Sequence, residues 1–136
     1  MVSRQSVIKA APPGAELVWV GTYLPVRRWR DIPVFMNTAN KIARQVEQSE
    51  GAVRYGLKAD PITKNFWTVS VWTDTAAMRA FVRAEPHRTS MKRFEEWAGE
   101  GAAFVEWKAS DGPIDWREVA RRMQHPSFLF KKRKAS

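Results

Sequence analysis

With 136 residues the chain fits one domain of ordinary size, and 44% hydrophobic residues, including seven Trp and seven Phe, supply a core without disulfides. The absence of cysteine excludes a disulfide framework, a thiolate metal site and a cysteine nucleophile, and two histidines, His87 and His125, cannot form a His-rich metal cluster. The net charge of +9 gathers at the ends: Lys131, Lys132, Arg133 and Lys134 near one terminus, Arg4 and Lys9 near the other, with no acid close by. Such a basic tail reads as a solvated end that adheres to polyanions without sequence preference, and its removal is expected to leave the fold intact.

No run approaches the ~20 apolar residues that span a bilayer, and the start has no apolar stretch of the secretory kind, so a soluble cytoplasmic protein is expected. The chain divides into a flexible N-terminal segment (1–14), a single domain (15–124) and a basic C-terminal tail (125–136).

Ala11-Pro12-Pro13-Gly14 breaks regular structure, and the branched and aromatic run from Glu16 to Leu24 predicts a first strand. Pro25 ends it. After the basic loop from Val26 to Arg30, Asp31 sits where an N-cap belongs, ahead of a helical stripe of Ile32, Phe35, Met36, Ala39, Ile42, Ala43 and Val46. Gly51 stops that helix. Ala52 to Ala59 alternate as a second strand, Asp60 to Lys64 make a hairpin connection, and Asn65 to Thr73 form a third, very apolar strand. Asp74 caps a helix with Ala77, Met78, Phe81 and Val82, which Pro86 interrupts; a further helical piece sets His87, Met91 and Phe94 on one side. Ala102 to Ala109 form a fourth strand. Asp115 and Glu118 have capping-box spacing before a last short helix with Trp116, Val119, Ala120 and Met123 in one stripe. The order βαββαβ plus a C-terminal helix predicts a ferredoxin-like α+β fold with an antiparallel sheet.

One face of the third strand holds Phe66, Thr68, Ser70 and Trp72, the other Trp67, Val69, Val71 and Thr73, so large apolar groups point both ways. Helices cover only one face of such a sheet. A second copy packed on the other face is therefore expected: a homodimer forming a dimeric α/β barrel.

The run from Phe66 to Asp74, followed by Met78, Phe81-Val82-Arg83, Pro86-His87 and Met91, resembles the dimeric α/β-barrel proteins of the antibiotic-biosynthesis-monooxygenase type. It resembles even more their spheroidene-monooxygenase-like and uncharacterised bacterial relatives. The resemblance covers roughly Glu16 to Met123 and implies a small monooxygenase-like protein that acts on or binds an aromatic or polyene molecule in a cleft between sheet and helices. It implies either no cofactor or haem. Within that reading His87 is a proton donor or acceptor, or an axial haem ligand, and Arg83 stabilises an enolate or peroxide anion. Tyr55, Trp67, Trp72, Phe81 and Met91 supply aromatic and apolar walls for the ligand. The haem-degrading members pair an Asn on the first strand with a Trp and a His ten residues apart on the second helix; here those helix positions fall on Phe81 and Met91 and the strand has no Asn, which counts against haem degradation.

An alternative is a dimeric binder of an apolar ligand or haem without catalysis. An RNA-recognition module shares the βαββαβ order, but its third strand should carry glycine and this one has none, so specific nucleic-acid binding is not expected. Gly99-Glu100-Gly101 lacks the third glycine of a dinucleotide fingerprint, and no phosphate-binding loop or Gly-x-Ser-x-Gly elbow occurs. Glu95 and Glu96, about 100° apart on a helix, are no acid-base pair.

Overall fold

Alternating branched and aromatic residues generate most of a six-stranded antiparallel sheet, and the helices follow the apolar stripes. The computed structural model describes residues 2–129; the basic run Lys131 to Lys134 lies outside the described residues. The elements are β1 (Val2–Val7), β2 (Leu17–Pro25), α1 (Ile32–Gln48), β3 (Ala52–Asp60), β4 (Asn65–Trp72), α2 (Thr75–Arg83), α3 (His87–Trp97), β5 (Ala103–Ala109), α4 (Trp116–Met123) and β6 (Phe128–Leu129). The sheet order is β1-β3-β4-β2-β5-β6, a ferredoxin-like core of four strands with one strand added at each edge.

Both added strands lie where the sequence pattern predicts none. Val-Ser-Arg-Gln-Ser-Val shows no clean alternation, and all six residues of β1 are exposed; β1 is held by its backbone pairing to β3, Val2 opposite Ala59 through Val7 opposite Arg54. Residues 2–7 are thus part of the sheet rather than a flexible lead-in. At the other edge Phe128 pairs with Phe104, and their rings stack with centroids 5.3 Å apart.

The helix starts show which local signals act. The Asp74 carboxylate accepts from the Ala77 N–H at 2.7 Å, and that of Asp115 accepts from the Arg117 N–H at 3.0 Å. Asp31 does not cap α1: a short 3-10 turn, Trp29–Asp31, precedes the helix, and the Asp31 carboxylate meets Arg28 at 3.0 Å. Nor does Glu118 close a capping box; its carboxylate pairs with Arg121 and Arg122. Beyond α1, Gly51 holds φ 83°, and a Cβ there would sit 2.5 Å from the Ala77 Cβ.

Helices α1, α2 and α3 cover one face of the sheet. Phe35, Ala39, Ala43 and Val46 from α1, Met78 and Phe81 from α2, and Phe94 and Trp97 from α3 are buried against Val18, Tyr55, Leu57, Phe66 and Trp72. The opposite face carries Trp19, Val53, Val69, Val71, Val105 and Trp107, and the chain itself covers it with Ile114 and Val119 from the segment around α4. Gly56 and Gly21 permit this approach: a Cβ at Gly56 would collide with Ile114, and one at Gly21 would stand 3.4 Å from Val119.

This corrects the expected barrel. The sheet is open, with β1 and β6 as its two edges, and it is not closed into a barrel. The physical reason is α4. The apolar second face, from which a second copy was expected, is buried by the chain's own last helix, so large residues on both sides of β4 do not require a partner.

Candidate functional site

Between the sheet and the helices the side chains leave a cleft. On the sheet side, Thr68 and Ser70 of β4 and Val20 and Thr22 of β2 present small groups where a larger residue would fill the space. Its inner chamber, about 120 Å³, is roofed by Ala39 and Ile42 of α1 and walled by Met78, Phe81, Met91 and Phe94. The chamber continues into an outer cleft of about 240 Å³ that reaches Phe104 and Glu106 of β5 and the Arg79 and Arg83 side chains of α2. Val20, Thr22, Met78, Val82, His87 and Met91 line both parts.

His87 opens α3 at this junction and is half-buried. Its ring packs on Phe81 with centroids 4.8 Å apart, and its Nδ1 lies 3.1 Å from the Val82 carbonyl oxygen. A carbonyl only accepts, so Nδ1 carries the hydrogen. Burial pushes the imidazole pKa below its ordinary value, against a smaller opposing effect of the Val82 carbonyl. The neutral ring therefore has a bare Nε2, which makes no hydrogen bond among the described residues.

Gln45 fixes this arrangement. Its side-chain amide donates to the Phe81 and Ala84 carbonyls at 3.1 and 3.4 Å, and its oxygen accepts the His87 backbone N–H at 2.9 Å. One residue of α1 thus joins the end of α2 to the start of α3. The remaining polar groups of the chamber are largely satisfied: Ser90 donates to the Pro86 carbonyl at 2.7 Å, Thr68 to Thr22 at 2.8 Å, and the Trp72 indole to Ser70 at 2.9 Å.

Of the residues singled out from the sequence, His87, Phe81, Met91 and Tyr55 line the inner chamber and Arg83 lines the outer cleft. Trp72 does not line it; it is fully buried beneath, its ring 4.9 Å from that of Phe81. Trp67 stands on the opposite face of the sheet, stacked on Tyr23 at 5.6 Å with the Lys58 ammonium 4.9 Å from its ring. Gln45, Ser70, Thr22 and Thr68 were not singled out from the sequence, where isolated polar residues beside an apolar stripe carry no distinguishing pattern.

The inner chamber alone is too small for haem, which would have to extend into the outer cleft. Pockets that bury drug-sized ligands hold roughly 300–1,000 Å³, and a tetrapyrrole needs no less; the chamber beside His87 offers about 120 Å³. Its walls suit one or two rings of an apolar molecule, and the adjoining outer cleft gives room for a further ring.

A family profile described as a domain of unknown function, DUF3291, matches residues 31–127. The chain belongs to this family. The DUF3291 match begins at the N-terminus of α1 and runs through α4, so it takes in the helical side of the cleft and both Gln45 and His87. No curated protein matches the chain. Several solved structures share its fold. A conserved protein from Methanosarcina mazei Go1 superimposes with a TM-score of 0.63 over 71% of this chain and 95% of that one, at 13% identity. An antibiotic biosynthesis monooxygenase gives 0.58 over 71% and 99%, at 13% identity. SnoaB, a cofactor-independent oxygenase from Streptomyces nogalater, gives 0.57 over 75% and 100%, at 14% identity. At such identities the likeness concerns the fold. Among the described residues no helix is long and apolar enough to cross a membrane.

Proposed function

We propose that this chain is a small monooxygenase-like enzyme that takes an apolar, ring-bearing or conjugated molecule into the cleft and uses His87 as its base. The observation that carries this reading is a neutral imidazole whose Nδ1–H is committed to Val82 and whose Nε2 lone pair is available in a chamber with mainly apolar walls. An electron-rich phenol fits this chemistry: its ring lies against Phe81, Met91 and Tyr55, and its hydroxyl or an acidified ring methylene gives a proton to Nε2. The apolar walls keep water from the carbanion so formed, and the Arg83 guanidinium at the outer cleft offsets developing negative charge. With dioxygen as co-substrate, a ring methylene becomes a carbonyl; one oxygen atom stays in the product, the other leaves as water, and the substrate supplies all four electrons. The fold shared with a cofactor-independent oxygenase supports this reading.

The test is a panel of phenols and anthrone-like polycyclics presented to the wild-type chain and to His87→Ala, with calorimetry for binding and an oxygen electrode for turnover. Binding with oxygen uptake in wild type, and uptake lost in the variant, is expected. Binding without uptake would reduce the protein to a carrier, and no binding at all would remove the cleft as a site.

A further inference from the structure

The edge strand β1 builds a second groove, which shares the Tyr55 side chain with the cleft. Ser6 lies opposite Tyr55 and Arg4 opposite Leu57, and directly opposed residues of an antiparallel pair share a face, so Arg4 and Ser6 stand on the helix side of the sheet. Facing them from α1 are Asn40, Ala43, Arg44 and Glu47, whose spacing of three and four places them in one stripe. Strand and helix flank a groove of about 390 Å³, which meets the chamber beside His87 at Tyr55 alone.

Tyr55 floors this groove. It is only 9% exposed, and its hydroxyl makes no hydrogen bond among the described residues. The ring is buried while the hydroxyl keeps accessible surface where Tyr55 lines the groove, so an acceptor seated there can pair with it. Burial pushes the hydroxyl up to about 12, with Arg4 acting to lower it and Glu47 to raise it, which is consistent with both charges facing it. Arg4 donates to the Asn40 side-chain oxygen at 3.1 Å and makes no ion pair, and Arg44 makes neither a hydrogen bond nor an ion pair among the described residues. The groove therefore gathers two guanidinium groups, the Tyr55 hydroxyl and the Ser6 hydroxyl, against one carboxylate, Glu47.

We propose that the groove between β1 and α1 binds a small carboxylate monoanion, held by Arg4 and Arg44 and accepting a hydrogen bond from the Tyr55 hydroxyl. A carboxylate matches the fork of an arginine and supplies the acceptor that Tyr55 lacks. A single charge is selected because Glu47 already offsets one of the two arginines. Arg4 and Ser6 lie outside residues 31–127, the stretch matched to the DUF3291 family.

The experiment is a titration of the full, isotope-labelled chain with sodium acetate at constant ionic strength, followed by amide chemical shifts. Shifts confined to residues 4–6, 40–47 and Tyr55 are expected. Arg4→Gln and Arg44→Gln should each weaken binding about tenfold or more, and Tyr55→Phe by a smaller factor. Lys41→Gln removes the same charge from α1 outside the groove and should leave binding unchanged. Equal weakening by Lys41→Gln, shifts centred on His87, or no saturable shift would overturn the site, and tighter binding of inorganic phosphate than of acetate would overturn its preference for a monoanion.

Discussion

The Nδ1 of His87 lies 3.1 Å from the carbonyl oxygen of Val82, across the junction between α2 and α3, so the ring is anchored by one nitrogen and leaves the other available. Burial lowers the imidazole pKa in the folded chain, and the Val82 carbonyl opposes this only in part. Because the folded pKa is depressed, the unfolded chain takes up the proton first. The contribution to stability is complete above the unfolded value, about 6.5, and is lost as pH falls from there through the folded value. The melting temperature of wild type should therefore fall between about pH 7.5 and about pH 5.5, and His87→Gln should flatten that slope. Identical slopes in the two proteins would show that the buried imidazole does not titrate as described.

Gln45→Leu removes both partners of the α2 to α3 junction while keeping a side chain of similar size. It leaves the Phe81 and Ala84 carbonyls and the His87 N–H without their side-chain partner, so a loss of about 1–3 kcal/mol is expected in urea unfolding. Affinity for a phenolic ligand should fall as well, because His87 loses its anchor to α1. Gln45→Glu keeps the acceptor for the His87 N–H and should retain more of the affinity than Gln45→Leu.

The strands and helices that carry apolar periodicity were legible in the sequence, and so was the placement of His87, Met91 and Phe94 on one side of α3. What escaped reading lacks a local signal. β1 is selected by backbone pairing to an open edge, which any short extended segment can supply, and β6 is two residues long. The role of α4 is a matter of tertiary placement: its stripe of Trp116, Val119 and Met123 predicts a helix but not which apolar surface it covers. Trp67 is instructive, since strand alternation already placed it opposite Thr68 and Ser70, and only its aromatic character suggested a ligand wall. Gln45 reads in sequence as a polar residue on the flank of an amphipathic helix, and its three hydrogen bonds depend on elements some 40 residues away.

If α4 and its lead-in take the place of a partner sheet, loosening their contact should cost folding energy. Ile114 is 6% exposed and rests on the second face over Gly56, in the same apolar cluster as Trp19 and Trp107. Ile114→Ala should cost about 2–5 kcal/mol in denaturant unfolding. Gly56→Ala, which pushes a methyl group into Ile114, should cost about 1–3 kcal/mol by overpacking. The double variant relieves the clash by removing its target, so its cost should be less than the sum of the single costs. Additive costs would mean that Ile114 does not sit over Gly56.

Filling the chamber separates ligand binding from stability. Ala39 is 8% exposed on α1 and faces the chamber with Ile42, Met78 and Phe94 nearby. Ala39→Leu adds three carbon atoms where the cavity of about 120 Å³ leaves room for them. Filling an apolar cavity commonly adds about 0.5–2 kcal/mol of stability, so the melting temperature should hold or rise. Binding of a phenolic ligand should fall sharply, because the added groups occupy the volume its ring requires, while the Nδ1 anchor of His87 to Val82 is untouched. A loss of binding through unfolding would lower the melting temperature together with affinity, whereas steric exclusion lowers affinity alone. Full affinity in a stable Ala39→Leu chain would place the ligand outside the inner chamber and take His87 out of the reaction with it.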